Sequence, residues 1–133
     1  MAGVGGRWAD VKGKDFRSMK DDRIYVVGDA IGNQGFPKSG FMANSVGAAC
    51  GEQIARRMTG QNLRVPKLNN TCFSTTEGTG EVGKAIQVTH VFMLDEAKDK
   101  WSKKAKADQV RSEEMAYAGR EWAEGIWYDM LGD

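Results

Sequence analysis

Apolar positions along the chain fall into blocks of different period. Ile24–Val27 is a continuous apolar run, the pattern of a buried strand inside a parallel sheet, and it stops at Gly28-Asp29. Residues 28–39 read as a loop. From Gly40 the period lengthens: Met42, Val46, Cys50, Ile54 and Met58 recur every four residues, predicting an amphipathic helix to about Met58. Ser39 is placed to cap it and Gly60 to end it. Pro66 and Asn69-Asn70 mark a connector. Thr71–Thr75 and Ala85–Leu94 are rich in Thr, Val, Ile and Phe and predict two strands joined by a Gly-rich turn at Glu77–Gly83. In the second, Ile86, Val88, His90 and Phe92 share one face, and Gln87, Thr89 and Val91 the other. Lys98–Lys106 reads as a solvated, charged connector. A last helix is expected from about Ser112 to Leu131, with Met115, Ala118, Trp122, Ile126 and Met130 on one face. Glu113 and Glu114 complement the positive end of its dipole. The first 23 residues are polar and irregular, with short strands expected at Trp8–Val11 and Asp15–Ser18.

These elements describe an α+β chain. Residues 1–66 supply a strand and helix of the kind that ends an α/β domain. Residues 67–133 form a small antiparallel sheet with a C-terminal amphipathic helix. The isolated Ile24–Val27 strand needs sheet neighbours, so a companion segment or self-association is expected.

Charge narrows the partners. The chain carries 19 Lys and Arg against 18 Asp and Glu, without the clustered cationic stripe that nucleic-acid phosphates require. No apolar run reaches the length of about eighteen residues that a membrane-spanning helix needs. Met1–Arg7 lacks the apolar core and cleavage site of a signal peptide. Two cysteines make no disulfide framework, and with no CxxC and only His90 as imidazole a zinc site is not expected. The 17 glycines are nearly twice the usual share of about 7%, and the cluster at 28–40 is the one that suggests a ligand.

That cluster holds the candidate chemistry. A strand ending in Gly28-Asp29 sets a carboxylate at the sheet edge where α/β folds bind ligands, and Gly28 permits close backbone approach. The same tripeptide with Ala30 also suits a plain turn. Lys38 precedes a helix N-terminus at Ser39-Gly40, so a cation and a helix dipole converge there; a surface lysine beside a capped helix has the same pattern. Cys50 sits in the apolar helical stripe and reads as a buried structural thiol. His90 reads as a structural histidine, and Trp127 and Tyr128 as core or interface.

Ile24–Ala30, Pro37-Lys-Ser-Gly-Phe-Met-Ala-Asn44, Asn70-Thr-Cys-Phe-Ser74 and Arg120-Glu-Trp-Ala-Glu-Gly-Ile-Trp-Tyr-Asp129 together resemble the C-terminal part of the flavoprotein subunit of flavocytochrome c sulfide dehydrogenase. The blocks occur in the family's order and span nearly all of the chain. The resemblance implies that residues 1–66 close an FAD-binding domain, with Gly28, Asp29 and Ala30 at the ribityl and pyrophosphate of FAD. Lys38, Ser39 and Gly40 would lie by the pyrimidine edge of the ring. Cys72 would be one half of a redox-active disulfide, and Trp122 would pack near flavin and disulfide. It also implies sulfide as substrate, a cytochrome c subunit as partner and a periplasmic location.

No Gly-x-Gly-x-x-Gly precedes the Ile24–Val27 strand, and no partner for Cys72 in that disulfide and no N-terminal cysteine for covalent FAD occurs here. The expectation is therefore a C-terminal portion, inactive alone, that requires an N-terminal flavoprotein segment. A sulfide:quinone oxidoreductase-like origin is the alternative within the superfamily, although the last helix lacks a basic membrane-facing side. A non-catalytic dimerisation or partner-docking module is the alternative outside it.

Overall fold

The computed structural model describes residues 6–78, 83–108 and 110–132. The order is a 3-10 turn at Gly28–Ala30, helix α1 (Gly40–Met58), strands β1 (Leu68–Gly78), β2 (Gly83–Asp95) and β3 (Lys100–Asp108), and helix α2 (Glu113–Leu131). The strands form one antiparallel sheet in the order β1-β2-β3, giving an α+β fold. The chain divides into two compact units. One comprises Met1–Asn70 and His90–Ala105, the other Thr71–Thr89 and Lys106–Asp133.

In the first unit α1 buries Met42, Val46 and Cys50, with Ile54 partly covered, while Met58 at the end of the stripe is exposed. Ser39 caps the helix by accepting the Met42 N–H at 3.2 Å. Past Thr59, Gly60 takes a left-handed φ of 68° and the Gln61 N–H returns to the Arg56 carbonyl, so the chain turns off the helix there. Val11, Phe16, Ile31, Leu68, Phe92 and Trp101 complete the core.

In the run Ile24–Val27 the first three residues are half-buried and Val27 is exposed, and the run pairs through a single antiparallel bridge, Tyr25 with Arg17, rather than in a parallel ladder. Apolar composition alone does not make a ladder where no neighbouring strand continues alongside. The expected short strands before it appear likewise as single bridges, Ala9 with Ile31 and Val11 with Ser18.

The segment expected to be a charged connector is instead strand β3. Its lysines at 103, 104 and 106 are exposed, and only Trp101 is buried. β3 lies at the edge of the sheet, where lysines discourage pairing with a further strand, so the charge reflects edge position and not solvated coil. The Trp101 indole N–H donates to the Gly13 carbonyl at 2.7 Å and its backbone N–H to Gln34 Oε1 at 3.1 Å. Phe36 meets both the Phe92 and Trp101 rings, at centroid distances of 5.8 and 6.0 Å.

In the second unit, Thr71 and Thr89 hydroxyls meet at 3.0 Å across β1 and β2, and Ala85 exchanges two backbone hydrogen bonds with Ser112. Asn69 and Asn70, read as connector, already belong to β1. The turn expected at Glu77–Gly83 lies partly outside the described residues. Ser112 caps α2 through the Met115 N–H. The α2 face of Met115, Ala118, Trp122 and Ile126 is half-buried, while Met130 is exposed. A Cβ on Gly119 would sit 3.0 Å from the Phe73 ring, so glycine here lets the helix pack closely on that ring. No helix among the described residues is long and apolar enough to cross a membrane.

Candidate functional site

The fold brings the Gly28–Ala30 turn onto the opening of α1. Gly28 has a φ of 64°, and a Cβ there would stand 3.3 Å from the Ala43 Cβ. A side chain would thus meet both backbone strain and the helix, which explains glycine at this position. Asp29 and Ala30 are exposed on the turn.

Lys38 joins turn to helix. Its Nζ donates to the Asp29 carbonyl at 2.6 Å and to the Ile31 carbonyl, and lies 4.3 Å from the centre of the Trp8 ring. Two of the ammonium's three donors therefore hold backbone, and the indole face adds a cation–π attraction of roughly 0.5–2 kcal/mol. The cation is fixed beside the positive end of the α1 dipole, where no acidic residue occupies the first turn.

The cap is itself oriented. The Ser39 hydroxyl donates to Asn70 Oδ1, which leaves its lone pairs for the Met42 N–H. Gly40, the first helical residue, is exposed. Gly28, Asp29, Ala30, Lys38, Ser39 and Gly40 thus come together as one surface of the first unit, presenting a carboxylate, a lysine and a helix N-terminus.

No protein-family model matches the chain.

Trp8 and Asn70 are parts of this site that motif reading did not assign. Each acts across the chain, Asn70 on Ser39 at a separation of 31 residues, and no local pattern signals such a contact. Cys72 and Trp122 belong to the second unit, Cys72 exposed on β1 and Trp122 half-buried on α2. His90 is half-buried in β2. Among the described residues, no group of three His, Cys, Asp or Glu side chains is arranged to hold a metal ion.

The two cysteines differ in the way their chemistry requires. Cys50 is buried in α1, where burial pushes its thiol up and the nearby Asp15 charge raises it further. With a thiol-reactive disulfide reagent at neutral pH, Cys72 is expected to react quickly and Cys50 only after denaturation. A Cys72→Ser variant should lose the fast phase. Fast labelling that survives this change would show that Cys50 is accessible.

Proposed function

We propose that the chain is the C-terminal part of an FAD-dependent sulfide dehydrogenase-like flavoprotein. The supporting observation is the convergence of Gly28–Ala30 with Lys38–Gly40 on one exposed surface. The residues fit such a cofactor. Gly28 lets the turn pack directly on α1, and Asp29 can accept hydrogen bonds from ribityl hydroxyls. Lys38 and the N-terminus of α1 supply positive potential to an anionic pyrimidine edge. Asp29 and Lys38 are held in register because Lys38 binds the Asp29 carbonyl.

The sulfur chemistry falls to Cys72 and a partner cysteine from an N-terminal segment. Hydrosulfide attacks one sulfur of their disulfide; a persulfide forms on that cysteine, the S–S bond breaks and the other leaves as thiolate. FAD, when bound, supplies a two-electron acceptor that can be emptied to a cytochrome c subunit in the periplasm. Trp122, in the same unit as Cys72, would support the sulfur chemistry from α2. The six acidic and basic side chains of α2 include only one cation, Arg120, which favours this reading over a quinone-reducing, membrane-attached enzyme.

Joining the chain to an N-terminal dinucleotide-binding segment of this flavoprotein class should give a protein with a flavin absorbance spectrum that bleaches on adding sulfide. Cys72→Ser should retain the flavin and lose the bleaching. Absence of bound flavin overturns the functional reading, and bleaching that survives Cys72→Ser overturns the disulfide role.

A further inference from the structure

Helix α2 has a second face that its own unit leaves largely exposed, with Arg120 alone on it half-buried. Glu113, Tyr117, Arg120, Glu124, Trp127 and Leu131 recur at steps of four, three, four, three and four residues, so they form one seam along the helix. This seam lies opposite the half-buried face of Met115, Trp122 and Ile126. Tyr117 is 54% exposed, and Trp127 and Leu131 are each 66% exposed. Tyr128 flanks them and is exposed as well. No residue of α2 is fully buried. Aromatic side chains left in water along one stripe mark an interaction surface, because their burial is among the largest gains a surface can offer.

The seam is self-complementary. About the level of Trp122 its inner four residues pair symmetrically, Tyr117 with Trp127 and Arg120 with Glu124, while the ends pair Glu113 with Leu131. Two such helices related by a two-fold axis and running antiparallel would set Tyr117 against Trp127 twice and Arg120 against Glu124 twice. An isologous contact requires this kind of match. A parallel pair would instead oppose Arg120 to Arg120 and Glu124 to Glu124. Arg120 also lies across the Tyr117 ring at 5.6 Å, which orders the two side chains before any partner arrives.

We infer that the outer face of α2 is an antiparallel homodimer interface, occupied by α2 of a second copy of this chain. At roughly 150–250 Å² per fully buried aromatic side chain, the seam and its flanks cover on the order of 1,000 Å² over both copies. That is the lower bound for a specific interface and fits a reversible dimer. The inference is independent of flavin binding.

Sedimentation velocity on the full chain, over about a hundred-fold concentration range, tests it. The chain should pass from monomer to dimer. Arg120→Glu and Glu124→Arg should each weaken the dimer about tenfold, by placing like charges across the axis. The double variant R120E/E124R should restore it to within a few-fold of the original, a recovery that misfolding cannot produce. Trp127→Ala should weaken association about thirtyfold or more, with the far-ultraviolet circular dichroism unchanged. A monomer at every concentration overturns the inference, as does a double variant no tighter than either single one.

Discussion

Trp101→Ala is expected to destabilise the first unit by about 3–5 kcal/mol, the range for removing a buried aromatic side chain from a core. The residue is 3% exposed and is the only buried side chain described in β3. Its loss removes the ring that Phe36 packs against and leaves the Gly13 carbonyl without its indole donor. It does more than open a cavity, because Trp101 also ties β3 to the N-terminal segment. The indole bond to Gly13 is the tie that the substitution removes; the backbone N–H to Gln34, whose amide donates to the Val11 carbonyl at 2.9 Å, is retained by alanine. Chemical denaturation followed by circular dichroism should show a midpoint far below that of the parent chain. Trp101→Phe separates the two contributions. It keeps most of the packing and loses the hydrogen bond, so about 1–3 kcal/mol is expected. Lys103→Ala, two residues along the same strand but exposed, should stay within about 0.5 kcal/mol. If Trp101→Ala were as mild as Lys103→Ala, β3 would not be anchored as described.

The same strand shows where sequence reading reaches its limit. Both helices are legible because their information is local. The four-residue apolar step, Ser39 three positions before Met42, and Gly60 just past the last turn all lie within one element. β1 and β2 are legible from their β-branched, alternating composition. β3 is not, because an edge strand that buries one side chain has no alternating apolar signal. What holds it is a partner, Gly13, 88 residues earlier in the chain. Ile24–Val27 fails in the opposite sense. It carries the composition of a central strand, but composition cannot supply neighbours, and only the Arg17–Tyr25 bridge forms.

The candidate site divides along the same line. Gly28, Asp29, Lys38 and Ser39 stand out as a glycine turn and a helix mouth. The sequence pattern suggests a cation aimed at a ligand, whereas Lys38 is first of all a brace, engaged by two carbonyls and the Trp8 ring. Trp8 carried no signal because an isolated aromatic in a polar stretch is indistinguishable from a surface residue. Charge at a helix N-terminus is thus readable from sequence, whereas the geometry that fixes the charge is a tertiary property.

Asp15→Asn should produce the second large effect, about 2–3 kcal/mol, and should change how Cys50 reacts. Asp15 is 2% exposed, and a carboxylate so deeply placed is tolerated only with its charge matched. Arg17 Nε and Arg57 Nη2 meet its Oδ2 at 2.7 and 2.6 Å, and the Arg17 backbone N–H reaches Oδ1 at 3.3 Å. Burial alone would lower the Arg17 pKa, and the hydrogen bond and charge of Asp15, with the charges of Asp22 and Tyr25, more than reverse that. Breaking a fully buried pair by removing one partner costs about 3–5 kcal/mol; both arginines here retain contact with water, which reduces the figure. Arg57 stands in the last turn of α1, so the carboxylate clips the N-terminal segment to the end of the helix whose beginning forms the candidate site. The Asp15 charge also raises the Cys50 thiol, so its removal lowers that thiol toward its ordinary range while loosening the cover above it. Both changes act in one direction, and Cys50 should label faster in Asp15→Asn than in the parent chain under native conditions. A double-mutant cycle with Arg57→Met isolates the clip, since the two substitutions should be clearly less than additive if Asp15 and Arg57 act as one unit. Full additivity, with Cys50 labelling unchanged, would show that the ion pair contributes nothing to holding the segment on α1.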